Sequence, residues 1–268
     1  MIIDEQMIKA AVLFWDPAYR CFLFNNQDLM PTIEEYTRLL HWKPPRPNKI
    51  CYVEQKKIGY RKKLAQLLGI DPKIIEQREK QKGESKSIPW DLLRHYILEY
   101  LEEDRALDIF ALAIYGLVIF PKTIGYVEAT VIDLFDQIGK QANPVPSIIA
   151  ETIRSLNYCR RKGGERFIGC AQLLYIWLRS HFWGENNVPC PNFLNTFVPI
   201  QAFRQKKWPE QYTREQWVFT FANLKEEEIT WRAPWMTRGD VLFGCGDKMW
   251  VPLMGIWGIT SYAPLMAR

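Results

Sequence analysis

Three carboxylates come closest to the composition of a metal-dependent active site. Asp133, Asp136 and Glu151 lie near one another in the sequence, and nucleases and strand transferases need several carboxylates converging on one or two cations. Each of the three falls on the polar face of a predicted amphipathic helix, where acids normally contact solvent. A metal-dependent nuclease or transposase-like enzyme is therefore the alternative hypothesis, and no catalytic residue is assigned.

Other chemistries find less support in the sequence. His41, His95 and His181 have no histidine or cysteine four residues away that would build a metal-binding helix face. The six cysteines include no CxxC pair, and we expect them to be reduced thiols of an intracellular protein. There is no GxSxG sequence and no phosphate loop with its lysine. The sequence predicts no metal and no cofactor, and a protein that is not an enzyme.

A basic segment, residues 56–86, holds ten basic and four acidic residues in a chain of net charge +5. Its pattern predicts two short helices, because Gly69 can end the first helix while Asp71 and Pro72 begin the second. Two helices joined by a tight turn are typical of a helix-turn-helix DNA-binding motif, although a solvated helical hairpin explains the same pattern. The side chains that would contact nucleic acid are Lys56, Lys57, Arg61, Lys62, Lys63, Lys73 and Arg78.

The core of the predicted domain is a helix over about residues 166–183, which is apolar on nearly every side. Such a helix belongs in the middle of a globular domain. Its polar residues Glu165, Gln172 and Arg179 are spaced seven apart, and with Arg154 they form a predicted buried polar line. Because unpaired burial of polar groups is costly, we expect a structural ion pair there.

The rest of the pattern predicts a mainly α, compact multi-helix domain, with small β-hairpins near both ends. The N-terminal strand and turn lie within residues 19–26, and the C-terminal hairpin within 241–253. We expect a flexible loop over 81–87, a buried apolar helix over 107–120 and an amphipathic helix over 126–140. No stretch has the length of a membrane span, and the 268 residues are expected to form a single domain.

Several strings together resemble a known family. They include Pro31-Thr-Ile-Glu-Glu-Tyr36, Ala111-Leu-Ala-Ile-Tyr-Gly-Leu-Val-Ile-Phe-Pro121, Phe167-Ile-Gly-Cys-Ala-Gln-Leu-Leu-Tyr-Ile-Trp-Leu178 and Trp231-Arg-Ala-Pro-Trp235. In combination they resemble a plant-specific uncharacterised domain of transposable-element-derived proteins, and more distantly the aminotransferase-like plant mobile domain. The resemblance covers essentially the whole chain, implies a nuclear setting and carries over no catalytic residue. Since the family's region usually continues at both ends, it also implies a truncated chain.

These observations lead to one functional hypothesis. The chain is expected to be a non-enzymatic, nuclear interaction module of a mobile-element-derived protein. Its expected partners are nucleic acid, bound through the basic segment, or other nuclear proteins. The alternatives are the metal-dependent enzyme and an inactive remnant. A pyridoxal enzyme is not supported, because the sequence lacks the βαβ alternation of a pyridoxal-binding scaffold.

Overall fold

Helices form most of the chain that the computed structural model describes, which comprises residues 3–42, 59–163, 167–182, 212–231, 251–255 and 258–262. Small antiparallel sheets accompany them, so the predicted mainly α fold is confirmed. The α-helices are α1 (Glu5–Leu13), α2 (Ile33–Leu39), α3 (Tyr60–Leu68), α4 (Pro72–Arg78), α5 (Trp90–Glu99), α6 (Asp104–Ile114), α7 (Ala129–Gly139), α8 (Val145–Arg161), α9 (Ala171–His181) and α10 (Arg214–Ala222).

The strands pair in three antiparallel groups. Sheet order is β1-β2-β3, β4-β5-β6 and β7-β8. The strands are β1 (Trp15–Asp16), β2 (Cys21–Phe24), β3 (Gln27–Leu29), β4 (Lys80–Lys82), β5 (Ser85–Pro89), β6 (Tyr126–Glu128), β7 (Val251–Gly255) and β8 (Gly258–Tyr262).

The N-terminal hairpin follows directly from its local sequence. Asn25 and Asn26 both have positive φ, as a two-residue hairpin turn requires, and asparagine tolerates that conformation well. In β2 the side chains of Phe22 and Phe24 are buried while Leu23 between them is exposed, which is the alternation of a strand with one face on the core. The predicted strand and turn are confirmed.

The predicted central helix is confirmed as α9, which is shorter than expected. Of its 11 residues 8 are buried, and the Trp177 ring stacks on that of Phe22 with centroids 5.8 Å apart. The helix begins at Ala171 rather than near residue 166. Residues 167–170, just before α9, are not helical. In this stretch the Ile168 amide donates to the Ser155 hydroxyl at 2.6 Å.

Two local predictions were wrong, and both involve strand β5. Residues 81–87, expected to be a flexible loop, lie in the β4-β5 hairpin, and 126–128, expected to be helical, form β6. Strand β5 pairs with β6 across about forty residues of sequence. A pairing partner that distant supplies hydrogen bonds which local periodicity does not reveal.

The apolar stretch 107–120 was expected to form a buried helix, and this prediction was wrong in part. Helix α6 buries Ile109, Leu112 and Ala113 but exposes Leu107, Phe110 and Ile114. From Tyr115 to Ile119 the chain continues as a π-helical turn. Gly116 of this turn packs against Val127 of β6, close enough that a Cβ would lie 2.5 Å from both valine methyl groups.

The C-terminal hairpin is formed by β7 and β8, which pair from Val251–Tyr262 to Gly255–Gly258. The predicted hairpin instead joined residues 249–253 to residues 241–243, and the latter lie outside the described residues. The hairpin packs against α8.

No helix in the described ranges combines the length and the hydropathy that crossing a bilayer would need.

We predict that Gly116→Ala destabilises the domain by about 1 to 3 kcal/mol, because the added methyl group overpacks a stiff β-branched neighbour. Gly139→Ala is the matched control, because Gly139 ends α7 with open space around its Cα. The control should be neutral or stabilise by up to about 1 kcal/mol. Urea unfolding followed by circular dichroism measures both, and equal midpoints for the two variants would contradict the packing of Gly116 on β6.

Candidate functional site

The predicted helical hairpin is present as α3 and α4. Gly69 follows α3 with φ of 70°, a conformation that glycine adopts without strain. The Asp71 carboxylate caps α4 by accepting from the Lys73 amide at 2.8 Å, and Pro72 is the first helical residue. The local geometry of the hairpin is therefore as the sequence predicts.

Acidic residues neutralise much of the basic charge of this hairpin. Arg61 contacts Glu76 at 2.6 Å and Glu79 at 2.5 Å. The Arg61 hydrogen bond to Glu79 is the main cause that lowers the pKa of this carboxyl to about 2, against the opposing effect of burial. Arg78 pairs with Asp91 at the start of α5. Both guanidinium groups are therefore paired with carboxylates of the same chain.

The remaining predicted contact residues divide into three groups. Lys63 is bound by two aspartates of α7 and is only 15% exposed at its side chain. Lys62 and Lys73 are exposed to solvent. Lys56 and Lys57 lie outside the described residues. The described part of the segment therefore offers a smaller positive surface than its composition suggests.

The three candidate metal carboxylates are held by cations of the protein. Asp133 contacts the Lys63 ammonium at 2.6 Å and Asp136 contacts it at 3.5 Å. Glu151 contacts Arg154 at 3.3 Å and is buried. The expectation that Glu151 lies on a solvated face was wrong, because α8 is covered by α1, α2 and the C-terminal hairpin. In the described part of the chain, no three metal-binding side chains of the His, Cys, Asp and Glu types come together.

The described residues of the predicted buried polar line differ in their surroundings. Arg179 is buried, with its guanidinium 5.5 Å from the centre of the Tyr175 ring. Burial lowers the pKa of Arg179 to about 10, against the opposing effects of Tyr175 and Asp4. Gln172 is half-buried, and Arg154 is directed to Glu151. Glu165 lies outside the described residues.

A buried carboxylate and a histidine meet where α2, α9 and Thr230 come together. The Glu35 Oε1 atom lies 2.8 Å from Nε2 of His181. Its Oε2 atom accepts from the Trp177 indole and from the Thr32 amide, both at 2.9 Å. On the other side of the ring, Nδ1 of His181 lies 2.7 Å from the carbonyl oxygen of Thr230.

These contacts fix the orientation of the His181 ring. Since a carbonyl oxygen only accepts, Nδ1 of His181 donates to Thr230. The ring then presents Nε2 to Oε1 of Glu35. Burial would raise the pKa of Glu35, but the charge and hydrogen bond of His181, with those of Thr32 and Trp177, lower it overall.

The cavity beside this pair is small. It measures about 20 Å³, room for about one water molecule. Asp28, Thr32 and Trp231 line it together with the pair. Both ring nitrogens of His181 and both oxygens of Glu35 are already hydrogen-bonded, so the arrangement is that of a structural tether between three parts of the chain.

Local sequence signals identify only one half of this tether. The Thr32-x-x-Glu35 capping box, which the structure confirms, marks Glu35 as a residue that contacts the backbone. His181 stands 146 residues away in the sequence, and no spacing rule links the two. Sequence reasoning therefore regarded His181 as a lone histidine.

The comparison with protein families supplies the identification. A family model described as a domain of unknown function, DUF7745, matches residues 1–268. The chain belongs to the DUF7745 family. No curated protein and no solved structure matches this DUF7745 chain. The expectation of an uncharacterised domain over the whole chain is confirmed.

The DUF7745 chain also has an apolar surface that sequence reasoning missed. Leu107, Phe110 and Ile114 of α6 are 68%, 50% and 38% exposed, and we call them the α6 stripe. Their spacing of three and four residues places them on one helix face. Leu98, near the end of α5, and Leu101, between α5 and α6, are also exposed. A helix that is apolar on two faces was the available signal, and it was interpreted as complete burial.

We predict that Glu35→Gln destabilises the DUF7745 chain by about 3 kcal/mol at pH 7. Breaking a buried pair costs about 3 to 5 kcal/mol, and the glutamine amide keeps part of the hydrogen bonding. Chemical unfolding of the purified protein measures the loss. Glu227→Gln, an exposed position, is the control and should change stability little.

The same pair predicts the pH dependence of stability. Because the folded-state pKa of Glu35 is below its ordinary value of 4.5, its contribution is complete well above pH 4.5 and is lost as the pH falls through the folded-state pKa. Unfolding free energies at pH 7, 5 and 3.5 should fall less steeply on acidification in Glu35→Gln than in the wild type. Parallel pH profiles for the two proteins would contradict this role of Glu35.

Proposed function

We propose that this DUF7745 chain is a non-enzymatic interaction module that binds a protein partner through the α6 stripe. The observation that carries the proposal is the exposure of Leu107, Phe110 and Ile114 along one face of a helix whose opposite face is buried in the core. Contiguous exposed apolar side chains of this kind are typical of protein interaction sites.

The charged groups of the described residues support an interaction role over a catalytic one. A metal-dependent nuclease would need Asp133 and Asp136 to receive cations, and the Lys63 ammonium already occupies both. The side chains of Glu35 and His181 contact each other, and each of their polar atoms has a hydrogen-bond partner in the protein. These paired groups therefore have a structural role, and the proposed binding surface lies elsewhere, on α6.

The proposed setting comes from the sequence. The resemblance to plant domains derived from transposable elements implies a nuclear protein acting beside other nuclear proteins. In that setting the α6 stripe would be the surface through which the module joins a larger assembly.

Nucleic-acid binding by α3 and α4 is a second candidate function. It is favoured by one observation, namely that the helical hairpin forms and leaves Lys62 and Lys73 exposed. The pairing of Arg61, Lys63 and Arg78 with acids limits the number of phosphates that these helices can neutralise. Such binding would be weak and independent of sequence, and its salt dependence would be shallow because few phosphates are contacted.

We expect Leu107→Ser/Phe110→Ser to weaken partner binding while the fold is retained, because both side chains already face solvent. Proximity labelling in plant nuclei with the wild type and the double variant identifies proteins that depend on the stripe. Each is then purified, and its affinity is measured by calorimetry. Loss of two exposed anchors should weaken binding at least about tenfold.

Phe219→Ser provides the matched control, because Phe219 is an exposed helical phenylalanine on α10. It should leave the affinity unchanged. If every labelled protein binds the wild type and the double variant equally, the α6 stripe is not the interaction site.

For nucleic acid, we expect a shallow salt dependence of binding to random-sequence duplex DNA. Replacing Lys62 and Lys73 by glutamine should reduce the slope of log affinity against log salt by about 2, since each phosphate contact contributes about one. Fluorescence anisotropy across a salt series measures the slope. An unchanged slope in the double variant would exclude the hairpin as the binding surface.

A further inference from the structure

Acidic side chains surround one end of the α6 stripe. Between residues 99 and 108 the sequence has five carboxylates and one arginine, within a chain of net charge +5. These carboxylates are exposed, and they belong to Glu99, Glu102, Glu103, Asp104 and Asp108. We call this group the acidic rim.

The single arginine of this stretch does not balance the rim. Arg105 is half-buried, and its guanidinium lies over the Tyr100 ring at 4.9 Å. It also packs beside Gly69 at the end of α3, where a Cβ would lie 2.3 Å from the guanidinium nitrogen. Its charge is thus directed toward the carboxyl end of α3, where a cation is favourable.

Helical geometry places the rim beside the stripe. With 3.6 residues per turn, Asp104 and Asp108 form one row along the surface of α6. The adjacent row is formed by Leu107 and Ala111. Glu102 and Glu103 precede the first turn of α6, at the end where Leu98 and Leu101 are exposed. The exposed apolar side chains and the acidic side chains are therefore parts of one surface.

We infer that the partner is an amphipathic helix whose apolar face is flanked by lysine or arginine. This inference rests on the proposed function of the stripe and identifies its partner by chemistry. Two helices pack along rows of side chains spaced like Leu107, Phe110 and Ile114. Basic flanks on the partner would meet the acidic rim, and complementary charge of this kind sets orientation and speeds association.

A second copy of the same chain fits this surface less well. In a symmetric dimer the same patch is present on both subunits. Contact of one α6 stripe with another would bring the two acidic rims together, and like charges at an interface are unfavourable.

Two synthetic helical peptides test the inference. Both have the same leucine and isoleucine face, which is flanked by lysines in one peptide and by glutamates in the other. We expect the lysine peptide to bind the full chain at least about tenfold more tightly at low salt, with the difference shrinking as salt screens the charges. Calorimetry with purified protein measures both affinities.

Three variants separate the contributions to binding. Glu102→Lys/Asp108→Lys leaves three acids against two lysines in the rim and should remove most of the peptide preference, whereas the control Glu226→Lys/Glu227→Lys, on the exposed 3-10 turn Glu226–Glu228, should keep it. Leu107→Ser/Phe110→Ser should abolish binding of the lysine peptide. If it instead binds this variant as well as the wild type, its attraction is only electrostatic and the inference is overturned.

Other outcomes also decide the question. Equal affinity for the two peptides, or a concentration-dependent dimer in sedimentation that Leu107→Ser/Phe110→Ser dissociates, would overturn the inferred partner. If neither peptide binds while a purified nuclear protein does so through the stripe, the inferred partner chemistry fails and the proposed function stands.

Discussion

The burial of one carboxylate depends on contacts between three distant parts of the described chain. Glu35 lies in the interior, where an ionised carboxylate without partners would be very costly. Its donors come from the start of α2, from Trp177 and from His181. His181 in turn holds Thr230. Because the partners are spread from residue 32 to residue 230, the charge is stabilised only when all three parts of the chain have assembled.

An aromatic layer surrounds this polar tether. Trp177 both donates to Glu35 and stacks on Phe22 of β2. Phe24, from the same strand, packs against Phe182 and Phe221 with ring centroids 5.0 and 4.7 Å apart. The N-terminal hairpin, α9 and α10 therefore share one core, in which shape-specific ring packing adds to apolar burial.

The distribution of charge then limits what the surface can do. The basic segment is partly neutralised by acids of α4, α5 and α7, so its composition overstates the field that a nucleic acid would meet. The opposite holds near α6, where acids collect beside exposed apolar side chains in a chain that is basic overall. A protein partner with complementary charge suits that surface better than a polyanion does. On this ground we propose binding rather than catalysis.

The sequence by itself determined the features that depend on neighbouring residues. These are the Thr32 capping box, the Asn25-Asn26 turn, the α3-α4 hairpin and the apolar character of α9. Their hydrogen bonds and dihedral preferences close within a few residues, so the local pattern contains the whole cause. Tertiary structure alone decided the pairing of β5 with β6, the joining of Glu35 to His181, the burial of Glu151 and the exposure of one face of α6. Each of these depends on which distant surface covers a residue, and local periodicity does not specify that surface.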